Sequence, residues 1–310
     1  MADGTTVEAA TVDYQNNVSF VIGEKPGKLY PLAGTTKNYA GAISAKIDNE
    51  FDDIDLQDKT TKNGDTNNID PNMRARFIHK PGSANIAPLI DRDAQKETSV
   101  DLASPVVTQT GKGVTRYHDD KFMLGFWGDG YTGENGMTRV PFRAGNRVPI
   151  DFGSLGSGTG VTKKKLVELR RVMENSSIDF EESSPIILLD PDAESDLFSI
   201  EEYIKLDYGD GAPLSRGEIK PWLGFRFMKA SLGNKKAYPR SWQLFNQGGI
   251  NRLPVFLPEG LHRGVWTEFF GRVTERDDKQ FSWQFYAEAE SAVVRVKEEL
   301  CWYLEAKPVA

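Results

Sequence analysis

The sequence predicts an α+β protein, on three observations. Residues 162–175, "TKKKLVELRRVMEN", place Leu166, Leu169, Val172 and Met173 on one face of a helix. After the turn-like "ERDDKQ", Phe281, Trp283 and Phe285 alternate with polar residues, the pattern of a half-buried strand leaving a hairpin. The first hundred residues are rich in Gly, Asn, Asp, Thr and Pro, show little helical period, and read as extended arms and turns.

Taken in order, the chain opens on a polar, acidic stretch, "MADGTTVEAATVDYQNN", the opposite of a secretory signal. Up to Asn49 the large side chains are Tyr14, Phe20, Ile22, Tyr30 and Tyr39, too sparse for a core. This arm is expected to gain its order from neighbouring copies. Asp48 to Asp70 then carries eight acids, Asp52, Asp53 and Asp55 among them, against Lys59 and Lys62. "NMRARFIHKPG" follows, with Arg74, Arg76 and Lys80 basic and Phe77 and Ile78 apolar. An acidic segment, a "KNGDTNN" turn and a basic segment read as a long two-stranded excursion, with a disordered linker as the alternative on composition. A lone hairpin is marginal in water, so its stability must come from elsewhere.

From Asp101 to Gly128 a helical pattern appears, with Pro105 suited to a first turn and Val107, Val114, Tyr117 and Leu124 at helical spacing. Gly111 and Gly113 each cost about 1 kcal/mol relative to Ala and are expected to bend or interrupt it. "DFGSLGSGTG" is a flexible loop, and Thr162 is placed to cap the helix after it. "SPIILLD" reads as a short buried strand, "DAESDLFSIEEYIK" as a further helix, and Val293 to Leu304 as a continuing strand. No internal repeat is visible.

Composition narrows the function. A chain of 310 residues with net charge −7 is not built to wrap nucleic acid as its main business, which needs clustered Lys and Arg. One cysteine, Cys301, excludes an intramolecular disulfide, and three histidines exclude the usual zinc-finger frameworks. No apolar run approaches the roughly 20 residues of a membrane span. A soluble chain made in a reducing cytoplasm is expected.

The chemical motifs are weak. His118, Asp119 and Asp120 have the side chains of a metal or general-base site. Helical neighbours, however, point about 100° apart and do not converge, so the trio reads as a polar helix end. "GSLGSGTGVTKKK" lacks the lysine directly after the last glycine that a phosphate loop needs; Val161 stands there and the lysines begin at Lys163. "LDPDAESD" and "DYGDGAP" lack calcium-loop spacing, and G-x-S-x-G is absent. A carboxylate pair in a tryptophan-lined cleft, as in glycan-acting enzymes, remains an alternative, since two acids can converge from anywhere in a chain.

The stretch "PIILLDPDAESDLFSIEEYIKLDYGDGAPLSRGEIKPWLGFRFMKASL" resembles the apical-domain core of major capsid proteins of tailed double-stranded DNA phages, of the Hong Kong 97 type. A glycine turn with Gly217 and Ile219 precedes a strand that opens on Gly224 and Phe225 and reaches Ser231. "RYHDDKFMLGFWGDGYTG" is similar to the end of that family's spine helix, with Asp120 and Gly128 at its acid and glycine. "MRARFIHKP" and "LIDRDAQKETSVD" resemble its extended loop and return. The likeness covers about residues 45–305 by order of elements.

The resemblance implies an N-terminal arm (1–49), an extended loop (50–100), a peripheral domain with spine helix (101–150 and 255–310) and an apical domain (151–254). It implies a virion protein, not an enzyme, needing no cofactor and no metal. Such a protein self-assembles as hexamers and pentamers into an icosahedral shell around double-stranded DNA, with weak non-specific DNA contact. A separate scaffolding protein and a portal are implied partners, a decoration protein a further one; no membrane is involved. No Lys–Asn pair marks a cross-link, and none is expected. Charge places the intersubunit contacts on Arg74, Arg76, Lys80, Asp52, Asp53 and Asp55. A tail-tube protein would also carry long arms, but such proteins are β-dominated and the helix at 162–175 argues against one.

Overall fold

The computed structural model describes residues 4–24, 27–51, 73–91, 103–154, 158–176, 178–203 and 219–308. Its helices are α1 (Gly4–Glu24), α2 (Ala103–Trp127), α3 (Lys163–Glu174), α4 (Pro191–Phe198) and a short α5 (Trp242–Phe245). The strands are β1 (Thr35–Asn38), β2 (Ser44–Phe51), β3 (Met73–His79), β4 (Ala84–Ile86), β5 (Leu89–Ile90), β6 (Gly130–Thr132), β7 (Thr138–Val140) and β8 (Arg147–Val148). They continue as β9 (Ile186–Leu189), β10 (Arg226–Lys229), β11 (Asn246–Gln247), β12 (Ile250–Phe256), β13 (Leu261–Arg276), β14 (Ser282–Arg295) and β15 (Cys301–Ala306). No described helix is long and apolar enough to cross a membrane.

Three sheets organise these elements. The first has the order β1-β13-β14-β4, with β5 also on β14; it is built on the long β13–β14 hairpin that the alternation at 281–285 predicts. The second has the order β10-β9-β12-β15-β8, with β11 on β12. It packs against α3 and α4 in the main core, where Leu166, Leu169, Met173, Ile187, Leu188 and Phe225 are fully buried. Thr162 caps α3 as the sequence indicates, its side chain accepting from the Lys165 amide at 3.4 Å. The third sheet, β2-β3-β6-β7, is the root of the excursion, with Ser44 opposite His79 and Phe51 opposite Met73.

Several expectations are corrected. The N-terminal arm is not extended: 4–24 is helical and lies on β13 and α2 of its own chain, with Tyr14 and Val18 buried against Val273. Tyr14 meets the Phe285 ring edge-on at 5.4 Å, and Gln15 donates to the Gly271 carbonyl at 2.6 Å. Tyr14, Val18 and Ile22 recur every fourth residue, a helical stripe that Asn, Thr and Val dilute through poor helix propensity. Burying a side chain of this size stabilises by about 1.5–3 kcal/mol, so a few anchors suffice once a partner surface exists.

Nor do Gly111 and Gly113 interrupt α2. They admit neighbours: a Cβ at Gly111 would lie 2.7 Å from Cγ1 of Val21 on α1, and one at Gly113 would lie 2.7 Å from Cδ1 of Ile86 on β4. The propensity lost at the glycines is offset by close packing on two sides. Gly125, further along, lets α2 rest directly on the Val293 carbonyl of β14.

The helix after β9 breaks at its C-cap Ser199, and residues 201–203 are helical again, so the expected helix is interrupted rather than continuous. Residues 293–304 are not one strand. The chain leaves the first sheet at Arg295, turns through Glu298–Leu300, and enters the second sheet as β15. β8 and β15, expected in the peripheral domain, therefore pair within the sheet of the segment expected to be apical.

Candidate assembly surface and its anchors

The excursion predicted as the contact element springs from β2 and β3. Asp52, Asp53 and Asp55 lie outside the described residues. Arg74 sits on β3 with its Cα opposite that of Glu50. Arg76 and Lys80 bind their own chain. Arg76 Nε donates to the Val296 carbonyl at 3.1 Å and its NH2 lies 3.9 Å from Glu298 Oε1, while Lys80 Nζ sits 3.1 Å from Glu290 Oε2. The Lys80 side chain stays 42% exposed, whereas within the chain the arginine, with its side chain only 11% exposed, is a root anchor. The alternation of β3 turns it towards the body, which charge pattern alone does not reveal.

Arg295 and Glu298, which carry no sequence marker, complete this anchor. Arg295 is fully buried; its Nε donates to Glu298 Oε2 at 2.8 Å, and its NH1 donates to the carbonyls of Phe126 and Gly128. Its guanidinium lies 4.8 Å from the Phe142 ring centroid. The C-terminus of α2, the passage between sheets and the excursion root thus meet at one cation. Those oxygens come from residues more than 160 positions away, so no local spacing could have announced the site.

His118, Asp119 and Asp120 also prove to be anchors. They are not at a helix end but well inside α2, and all three are buried. As expected of helical neighbours, they diverge. Asp119 accepts from the amides of Lys28 (3.0 Å), Leu29 (2.9 Å) and Tyr30 (3.0 Å). Asp120 accepts from the amides of Arg240 (3.0 Å) and Ser241 (3.1 Å) and from the Ser241 hydroxyl (2.6 Å). His118 Nδ1 lies 2.7 Å from Ser291 Oγ and its Nε2 is 3.0 Å from the Glu268 carbonyl. Since a carbonyl only accepts, Nε2 carries the proton, and a neutral ring takes the serine hydrogen at Nδ1.

Burial, with Arg263 nearby, pushes the His118 pKa down to about 4, whereas burial raises that of Asp119 against its three amide donors. A histidine depressed in the folded state stabilises fully above its ordinary value of 6.5. That stability is lost as pH falls from there towards 4, because only the unfolded chain takes up the proton. Wild type should therefore lose about 3 kcal/mol over this window relative to His118→Gln. Urea unfolding of both proteins at pH 7.5 and pH 4.5 checks it; parallel curves would contradict the buried neutral ring.

The other histidines act similarly. His262 lies between Thr35 Oγ1 (2.6 Å) and the Tyr39 hydroxyl (3.0 Å), fastening β1 to β13, and His79 Nε2 is 3.2 Å from the Gly136 carbonyl. In the glycine loop, Lys165 turns inward and donates to the carbonyls of Thr159 (2.7 Å) and Glu305 (2.9 Å). Desolvation lowers its pKa to about 8, opposed by Asp196, Glu305 and Asp151. The ammonium closes the loop onto β15. Asp196 of "LDPDAESD" accepts from the Val161 amide at 2.8 Å; "DYGDGAP" lies outside the described residues. Among the described residues, no three His, Cys, Asp or Glu side chains are grouped to hold a metal ion.

Comparison with known proteins places this architecture. The family model described as phage capsid protein matches residues 7–301. The chain belongs to the phage capsid protein family. This capsid protein also resembles a chain from the capsid structure of cyanophage P-SCSP1u, at 14% identity and TM-score 0.66, over 90% of this chain and 87% of that one. Against the capsid asymmetric unit of cyanophage Pam1 the identity is 11% and the TM-score 0.65, over 88% of each chain. Against the virus-like particle from Pyrococcus furiosus the identity is 10% and the TM-score 0.53, over 96% of this chain and 99% of that one. None of the curated protein sequences matches it. The fold is the Hong Kong 97 type, and the capsid protein is a virion component that forms the head shell.

Proposed function

We propose that this capsid protein assembles as hexamers and pentamers into an icosahedral shell enclosing double-stranded DNA, without catalysing a reaction. In this reading the β13–β14 sheet with α2 forms the peripheral domain and the β9–β12 sheet with α3 and α4 the apical one. The 52–72 excursion is the element reaching a neighbouring subunit, with its acids and Lys80 making the contact and Arg76 holding its root. A separate scaffolding protein and a portal would guide closure, and synthesis takes place in the cytoplasm of a bacterial host. The observation that carries the reading is the extent of the likeness, which spans nearly the whole chain and nearly the whole of each capsid chain compared. The buried carboxylates Asp119 and Asp120 favour a structural role, since both are saturated by donors of their own chain. Negative-stain microscopy of the purified protein, alone and with a co-expressed scaffolding protein, tests it. Closed particles are expected, and only monomers under both conditions would overturn it.

The acidic excursion yields a separate expectation. Asp52→Asn, Asp53→Asn and Asp55→Asn together should lower the yield of closed particles while leaving subunit melting unchanged. Exposed ion pairs contribute under about 1 kcal/mol each, so the effect depends on repetition around the shell. Wild-type assembly should weaken towards 1 M salt, where the Debye length is about 3 Å. Equal yields and equal salt response would remove the excursion's charge from assembly.

A further inference from the structure

In a chain of net charge −7, one surface is strongly basic. Lys112 and Arg116 lie on the outward stripe of α2, one helical turn apart, and Lys121 follows near its end. The segment before α5 adds Lys235, Lys236 and Arg240. The two parts are contiguous: Arg116 Nε donates to the Lys112 carbonyl at 3.1 Å and NH1 to the Lys236 carbonyl at 3.4 Å. Aromatic rings prop the others, with Lys121 and Arg240 lying 5.5 and 5.2 Å from the Tyr117 ring and Lys235 lying 5.9 Å from that of Trp242. Among the described residues, Lys112, Arg116, Lys121, Lys235 and Lys236 form no ion pair, and Arg240 has only Asp120, at 3.9 Å, already held by three donors. Elsewhere Lys163, Arg171 and Arg276 each meet a carboxylate, and the described cations without one are not gathered on a single face as these are.

We propose that this patch is where the capsid protein contacts duplex DNA, through phosphates and without reading sequence. The proposal rests on the reading that the shell encloses duplex DNA. The α2 half of the patch offers no free backbone donors, so an extended acidic peptide would gain only exposed ion pairs along it, under about 1 kcal/mol each. A duplex also releases condensed counterions at every neutralised phosphate, which favours it over the peptide on the same cations.

Fluorescence anisotropy of a labelled random-sequence duplex, titrated with purified subunits at several salt concentrations, tests the assignment. Six phosphate contacts give a slope of about −5 in log affinity against log salt, at about −0.9 per phosphate. Lys112→Gln, Lys235→Gln and Lys236→Gln together should reduce the slope to about −3 and weaken binding at least roughly tenfold at low salt. All three side chains are exposed, so unchanged melting is the check on folding. Lys163→Gln, Arg171→Gln and Lys229→Gln, outside the patch, should retain the wild-type slope. Equal slopes for the two triple variants, or no duplex binding by wild type at low salt, would overturn the proposal. So would a synthetic peptide of residues 48–70 that displaces the duplex and loses binding in the patch variant, which would make the patch a protein interface. Microscopy of the same preparations reads the shell separately: particles without patch-dependent DNA binding sink this inference alone, and absence of particles sinks the shell reading.

Discussion

Asp120→Ala is expected to destabilise the subunit by about 4 kcal/mol, a large fraction of the 5–15 kcal/mol of an ordinary domain. The side chain is fully buried, and its removal strands two amides and a hydroxyl of residues 240 and 241. A buried donor left without a partner costs about 1–3 kcal/mol, and water entering the vacated space recovers part of three such losses. Asp120→Asn retains one accepting oxygen and should fall between wild type and alanine. Asp119→Ala should act comparably on residues 28–30, releasing the chain after α1 from α2. Urea unfolding of purified subunits measures all three. A loss under about 1 kcal/mol for Asp120→Ala would mean that Ser241 and its neighbours are held by packing alone.

Arg295→Leu is expected to cost about 3–5 kcal/mol, the range for breaking a buried ion pair from one side. It leaves Glu298, half of a pair at 2.8 Å, facing the interior, and deprives the Phe126 and Gly128 carbonyls of their donor. Adding Glu298→Gln removes a charge left with only Arg76, 3.9 Å away, and should restore part of the loss. It cannot restore all of it, because the carbonyls still lack a donor. Thermal and urea unfolding of the single and double variants decide the matter; a double variant as stable as wild type would show that the carbonyls need no cation. Arg76 leans on the same carboxylate, so the excursion root should loosen in parallel, read as faster proteolysis between β2 and β3.

What was legible in the sequence follows the range of the interactions. α3 declares itself through a local stripe and a local cap, and the β13–β14 hairpin through alternation about a turn. The glycines of α2 mislead because helix propensity is local, whereas their value lies in Val21 and Ile86, far away in sequence. α1 misleads for the converse reason: its propensity is poor, and its partners on β13 and β14 lie some 250 residues on. The histidine–aspartate trio was read correctly as divergent and wrongly as a helix end, because the sequence shows where side chains point but not what waits there. Arg76 and Lys80 were placed by charge alone, and charge does not announce that each also meets a carboxylate of its own chain.

The dependence of the N-terminus on β13 has a consequence in time. α1 lies on β13, β1 takes its parallel register from Thr35 opposite His262, and the Thr11 hydroxyl meets the Val273 carbonyl at 3.3 Å. None of these partners exists when the first forty residues leave the ribosome. At about 5–20 residues per second, the wait for β13 is roughly 10–50 s. Throughout that interval Tyr14, Val18 and Ile22 stay exposed on a nascent chain. Topologies so dominated by distant contacts fold slowly once complete. Folding of the N-terminal segment therefore waits for strands that lie more than 220 residues on, and its yield depends on what shelters that segment until β13 and β14 arrive.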